Sequence, residues 1–382
     1  MFDRTPGGFQ LSNARIVTHD GIVEGGIAIE DGRIAEIGPS VAGEDVGGDV
    51  LIPGIVDIHT DHVEKHVIPR KSVQWNFDQA LAAHDAVVIA GGTTTVFDSL
   101  CVGATMKNPE RREILAPLID ALETRVRDGA FRADHLLHLR CEVSDPTTPA
   151  LVDAVMGRGI VRLISVMDHT PGDRQSLDVS SWRRRMVETG EVADANADAA
   201  LEALFERSRA TSPVVRAYVA EAANAQGLTL MSHDDRSLDH VAMAKAEGTT
   251  VSEFPVTLEA ARAAKEAGLT VVVGAPNYLR GGSQSGNVAV RELLAAGVVD
   301  ALASDYVPSS PLYAAFALAR DSELGIDLPA AVHMVATAPA VLAGLDDRGA
   351  LEAGRRADIV RVQDDGARAR VVSVWREGQR VY

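Results

Sequence analysis

Residues 55–62 read IVDIHTDH, and the fold turns on this stretch. Ile55, Val56 and Ile58 are apolar and β-branched, as in a strand of a parallel sheet that is buried on both faces. The run stops at His59, Thr60 and Asp61, which an apolar core does not need. His59 and Asp61 stand two apart and share one strand face, with Thr60 opposite. By the same alternation His62 faces the other way unless the strand bulges there.

Seven similar runs follow: TTTVFDSL (93–100), HLLHLRCEV (135–143), VRLISVMDH (161–169), LTLMSH (228–233), TVSEF (250–254), TVVVGAP (270–276) and DALASD (300–305). Between them lie stretches with helical spacing: Phe77 to Ala90, Arg111 to Arg127, Pro213 to Gln226, Leu258 to Ala267 and Val288 to Ala296. Eight strands alternating with helices predict an α/β fold, a (β/α)8 TIM-type barrel. The doubly wound alternative lacks its Gly-rich fingerprint after any strand. Residues 171–212 read as an extended, charged connection, either a solvated insertion or a lid. Its run Arg183-Arg184-Arg185 reads as a solvated helix face. Both chain ends carry short strands punctuated by glycine, with hairpin turns at Asp31-Gly32 and Glu377-Gly378. The expected organisation is a small composite β domain from residues 1–50 and 345–382, and a barrel over 51–344.

Composition narrows the class. Thirty-seven Lys and Arg against 54 Asp and Glu give a net charge of −17. Nucleic-acid and anionic-membrane binding rest on a basic surface and are disfavoured. A small anion held in a local basic pocket is not. Cys101 and Cys141 read as two buried strand thiols rather than a disulfide, which fits a reducing compartment. No secretory signal and no apolar run of about 18 residues is visible, so the expected address is the cytoplasm.

Chemistry in a barrel sits at the C-terminal ends of the strands. There the sequence puts His59, Asp61, Glu142, His169, His233 and Asp305. Burying six such groups unaided costs several kcal/mol apiece. Two divalent cations would turn the same set into a satisfied site.

The pattern resembles the amidohydrolase superfamily, which joins a metal-centred barrel to a small β domain built from both chain ends. It departs at Asp61, where a histidine is usual. HTDHVEKHVIPR (59–70), AHDA (83–86), TTVFDSL (94–100), APNYLRGGSQSGN (275–287) and ASDYVPSS (303–310) resemble one subgroup. Its members hydrolyse a ribosyl phosphonate 5-triphosphate to the 5-phosphate plus diphosphate in the carbon–phosphorus lyase route of phosphonate use. The resemblance implies two divalent ions, zinc first, with manganese or iron open. It makes Glu142 the bridge between them. His59, Asp61 and Asp305 complete one sphere, His169 and His233 the other, and Asp305 accepts a proton.

A polyanionic substrate on an acidic protein requires locally concentrated cations. Lys65, His66 and Arg70 follow the first strand, Arg174 follows His169, and Arg280, Gly281, Gly282 and Ser283 follow the seventh strand. Guanidinium and open backbone N–H groups together suit phosphate oxygens. His62 and His84 read as partners that orient ligands, and His138 shares a strand face with Glu142. His135 reads as a surface or packing residue. Rival readings are a C–N hydrolase (cyclic amidase or deaminase) using the same metal site and a non-catalytic scaffold of the same fold. Homo-oligomerisation is left open.

Overall fold

The computed structural model describes residues 8–70, 73–104, 110–174, 178–190, 192–283 and 286–382; the side chains of Ser181 and Arg185 lie outside that description. Eight parallel strands make one sheet in chain order: β1 (Ile55–Thr60), β2 (Thr93–Val102), β3 (Asp134–Glu142), β4 (Val161–Met167), β5 (Thr229–His233), β6 (Val251–Glu253), β7 (Thr270–Gly274) and β8 (Ala301–Ala303). A parallel bridge between Thr60 and Asp305 closes the sheet on itself. All eight expected strands are present. β1 and β2 are buried at every position, which is why they read as continuous apolar runs rather than alternating ones.

Val56, Ile58, Phe97, Leu163, Met231, Val251, Val272, Ala301 and Ala303 pack together as the filling of the barrel. The helices form the outer layer. Three of them bear on the site: α1 (Val63–Val67), α2 (Phe77–Ala90) and α3 (Arg111–Arg127). α2 starts where Asn76 Oδ1 accepts the Gln79 N–H at 3.0 Å, satisfying a donor the first turn leaves open.

The chain ends meet in a second sheet. Its order is Gln379–Arg380, Ala369–Arg376, Ile359–Asp364, Val50–Pro53, Phe9–Thr18, Gly21–Glu30, Arg33–Gly38, with Glu44–Asp45 paired to Phe9–Thr18. Asp31 and Gly32 both take positive φ, 48° and 76°, as a two-residue type I′ hairpin turn requires. Phe9 stacks on Trp375 at 5.5 Å between ring centroids, so the two ends share a core.

The connection over 171–212 differs from its expected extended form. It contains a helix at Val179–Glu188, and a second helix runs unbroken from Ala197 to Gln226. Pro213, read as a helix start, sits inside this longer helix. The physical reason lies in Ala197, Leu201, Leu204 and Ser208, which recur every three or four residues and are all buried. Arg183 bonds to Asp194 and Asp198 on this surface. Cys101 and Cys141 are buried and unbridged. No helix among the described residues is long and apolar enough to cross a membrane.

Candidate active site

The C-terminal strand ends surround a cleft of about 460 Å³. Glu253, the last residue of β6, ties two of its histidines together. Its Oε1 lies 2.6 Å from His59 Nδ1 and its Oε2 lies 2.6 Å from His233 Nδ1. The two imidazoles stack at 5.8 Å, and His169 stands 6.0 Å from His233. Below them His138 places Nδ1 3.1 Å from the Ile58 carbonyl. With Nδ1 donating in each case, Nε2 is left as a lone-pair donor. His59 Nε2, His138 Nε2 and Asp234 Oδ2 are buried without a hydrogen-bond partner. His59, His138 and Glu253 form one group whose ligating atoms lie within 4.8 Å of one another, and His169, His233 and Asp234 form another. Unpartnered imidazole nitrogens beside carboxylate oxygens are a donor set that suits a divalent transition metal.

Two carboxyls face each other across the barrel seam. The Asp61 N–H donates to the Asp305 carbonyl at 3.0 Å, and the Asp305 N–H to the His59 carbonyl at 2.9 Å. Burial opposes ionisation of both acids. Arg140, with Nη1 3.9 Å from Asp61 Oδ2, and Lys65, at 3.4 Å from Oδ1, outweigh it and hold Asp61 below the usual range. Burial and the Asp61 charge push Asp305 upward, so it is the better proton acceptor of the two. Burial likewise opposes ionisation of Glu253, but the imidazoles of His59, His138 and His233 that face it outweigh burial and hold its carboxyl well below the ordinary value. Asp234 and Phe254 take φ of 58° and 55° directly after their barrel strands, and Asp305 takes 52° two residues beyond β8. Backbone strain of that kind gathers at sites that must aim a side chain.

Residues 182–382 match the amidohydrolase family. The chain is 37% identical to the alpha-D-ribose 1-methylphosphonate 5-triphosphate diphosphatase of Escherichia coli (strain K12), over 376 residues that cover 97% of this chain and 100% of that protein. The chain belongs to the amidohydrolase family. A D-hydantoinase of Rhizobium radiobacter is 39% identical over 94 residues, covering 23% of this chain and 19% of that enzyme. Among solved structures, the N-acetyl-D-glucosamine-6-phosphate deacetylase of Mycobacterium smegmatis superposes with a TM-score of 0.61 at 18% identity, covering 98% of this chain and 99% of that one. At that identity the likeness is one of fold.

Within this amidohydrolase the expected residues divide. Asp61, His169, His233 and Asp305 line the cleft, as do Lys65 and Ser283. His59 lies directly beneath, against Glu253. Glu142, expected between two ions, is paired with His169. Its Oε2 is 2.7 Å from His169 Nδ1, and its Oε1 accepts from Ser144 Oγ at 2.6 Å. Arg174 is buried and paired with Asp235 at 2.6 Å, so it braces the end of β5 rather than meeting an anion in the cleft. Arg280 is exposed and donates to Tyr306 Oη at 3.2 Å, with Gly281 and Gly282 beside it on the outer rim. Arg70 is exposed and does not line the cleft. His66 turns to His62, 3.2 Å between Nε2 and Nδ1, and away from the cleft. No described residue between 171 and 212 lines it either, which favours the solvated insertion over the lid, of the two readings of that connection.

Sequence reading missed four contributors. Glu253 ends β6 in TVSEF, a carboxylate at a strand end like the others. Asp234 directly follows His233. Arg140 shares a strand face with His138 and Glu142 by alternation. Arg111, held 2.8 Å from Glu64 Oε2, opens α3 and had no sequence signal beyond that position. Arg111 and Arg140 line the cleft with Lys65 and form its basic wall.

Proposed function

We propose that this amidohydrolase cleaves α-D-ribose 1-methylphosphonate 5-triphosphate to the 5-phosphate and diphosphate, as a cytoplasmic step of phosphonate use. The observation that carries the reading is 37% identity sustained over 97% of the chain to a relative of that activity. The cleft supports it, because three cations, Lys65, Arg111 and Arg140, converge on its wall in an otherwise acidic protein. A neutral cyclic amide would not need them. The hydantoinase likeness points the other way but spans 23% of the chain.

Two divalent ions, zinc before manganese or iron, would be held by His59 Nε2, His169, His233, Asp61 and Asp305, with Asp234 within reach and Glu142 orienting His169. When bound, such ions supply Lewis acidity and a nucleophile at neutral pH. The residues themselves do the rest. Lys65, Arg111 and Arg140 hold the phosphoryl oxygens and take up charge as the P–O–P bond breaks. Asp305 accepts the proton of the attacking water, and Glu253 fixes the ring planes of His59 and His233. Phosphorus NMR of the products from the ribosyl phosphonate triphosphate, with defined metals, tests the reading. Free diphosphate and a 5-monophosphate are the expected resonances. Rapid opening of a hydantoin ring with an intact triphosphate would overturn it and leave the C–N hydrolase.

A further inference from the structure

The loop after β1 carries histidines that the cleft does not use. His62 caps α1, His66 lies one turn further on, and His84 faces them from α2. Their ring centroids are 4.8, 5.9 and 5.7 Å apart. One ligating nitrogen from each lies within 4.8 Å of those of the other two. We propose that His62, His66 and His84 form a separate cation site, of the open tris-imidazole kind that takes zinc or a similar late first-row divalent ion.

Three observations support this independently of the reading of the cleft. First, His84 is fully buried and its Nδ1 has no hydrogen-bond partner. A buried polar atom left bare is costly, and an ion on that nitrogen removes the cost. Second, the opposite nitrogen is already prepared. His84 Nε2 lies 2.7 Å from Asp98 Oδ1, and Asp98 Oδ2 lies 2.7 Å from His135 Nδ1. A carboxylate accepting from Nε2 fixes the tautomer with the Nδ1 lone pair exposed, the outer partner that metal-bound histidines characteristically have. Third, the spacing is right. Zinc–nitrogen bonds of about 2.0–2.1 Å in a tetrahedron put ligand nitrogens roughly 3.3 Å apart, and His62 Nδ1 and His66 Nε2 are already 3.2 Å apart.

The competing description is a simple hydrogen bond between His62 and His66. It accounts for that one contact and leaves His84 Nδ1 bare. Half-exposure of His62 and His66 gives an ion a way in and leaves its fourth position to water. All-nitrogen ligation selects zinc, copper, nickel or cobalt over magnesium, calcium or manganese. The site would clip α1 to α2 and so fix the turn from which Lys65 reaches the cleft, directly after Asp61. His66 is thereby moved from anion binding to ion binding.

Cobalt(II) titration of the metal-stripped full chain tests this, read by bound equivalents and by the absorption of tetrahedral cobalt. His66→Gln and His62→Gln, both at half-exposed positions, should each lose one equivalent. Their affinity for that equivalent should fall by more than the about 10–100-fold that loss of an outer partner costs. With Asp305→Asn added, each histidine variant should still lose its one equivalent, whatever metal the cleft then keeps, since the sites are separate. Stoichiometry and spectrum unchanged in both histidine variants would overturn the proposal. So would a histidine loss that disappears once Asp305→Asn is present, because it would then belong to the cleft. Neither outcome touches the diphosphatase reading, which product analysis decides separately.

Discussion

Asp134 opens β3 at one end of the barrel, and Glu142 closes the same strand at the other. Around Asp134 the C-terminal segment delivers three guanidiniums: Arg348 Nη1 at 2.7 Å, Arg356 Nη2 at 2.6 Å and Arg376 Nη1 at 3.0 Å. Asp347 and Asp358 bind Arg348 and Arg356 in turn, at 2.8 and 2.9 Å. Three carboxylates thus meet three permanent cations. At the Glu142 end, carboxylates meet imidazoles, and nitrogens of His59 and His138 have no partner. The first cluster balances its own charge and joins the terminal sheet to the barrel. The second offers lone pairs that, in the proposed function, bound ions take up. The same carboxylates serve cohesion where they face permanent guanidinium charges and, in that reading, ligand capture where they face imidazoles.

The largest expected effect separates the two ends by activity. Asp305→Asn keeps a residue that tolerates positive φ but cannot accept a proton. Turnover should fall by about 10²-fold or more, while the urea unfolding midpoint stays close to that of wild type. Near-normal turnover in the metal-loaded variant would place the proton acceptor elsewhere.

Asp134→Ala should do the reverse. Breaking a fully buried ion pair costs about 3–5 kcal/mol. The Asp134 side chain is 29% exposed, so solvent screening brings the expected loss to about 2–3 kcal/mol by urea unfolding. The folded variant should turn over within about twofold of wild type, as distant sites rarely couple. Acid should erase this contribution. Burial opposes ionisation of Asp134, but Arg356, Arg376 and Arg348 outweigh it and hold its pKa low. A carboxyl with a depressed folded pKa contributes stability above its unfolded value of about 3.9 and loses it as the pH falls through the folded value. The gap between wild type and Asp134→Asn should therefore be constant near neutral pH and close below about pH 4. A gap that persists into stronger acid would mean the arginines are held by something else.

Glu142→Gln sharpens the contrast along β3. If Glu142 orients His169, metal should still bind at full stoichiometry, about 10–100-fold more weakly. Loss of a whole equivalent would restore the bridging role that the family pattern implies. Arg280→Ala should be the mildest change. Its guanidinium is exposed on the rim, where a charge contact is worth about 0–1 kcal/mol, so catalytic efficiency should drop less than about fivefold. A drop approaching 100-fold would bring the β7 loop into the binding wall beside Arg140.

The barrel was legible because strands buried on both faces leave a recognisable pattern, and His59, His233 and Asp305 stand where such runs end. Glu253 escaped because β6 has just three residues, too short a run for its last position to stand out. Arg140 escaped because it sits inside β3 and reaches the cleft by the length of its side chain. The Ala197–Gln226 helix was truncated in the reading because Pro213 is an ordinary helix-start signal, and only packing reveals that the chain passes through it. His135, read as a surface or packing residue, is buried and bridges Asp98 and Asp85. No motif around it foretold those partners, which come from different elements.

The terminal sheet also sets a timetable. Val50–Pro53, buried at all four positions, pairs with Ile359–Asp364 through Pro53 and Ile359. Roughly three hundred residues separate these strands, so a ribosome working at about 5–20 residues per second leaves the first without its neighbour for on the order of 15–60 s. During that interval the growing chain carries an apolar strand with one edge open, the kind of surface that recruits other chains. Among the barrel strands only β1 shares that wait, because its bridge to Asp305 forms after β8 has emerged, while each later strand is laid down beside the last. The yield of folded protein should depend on how these two early edges are sheltered until their late partners emerge.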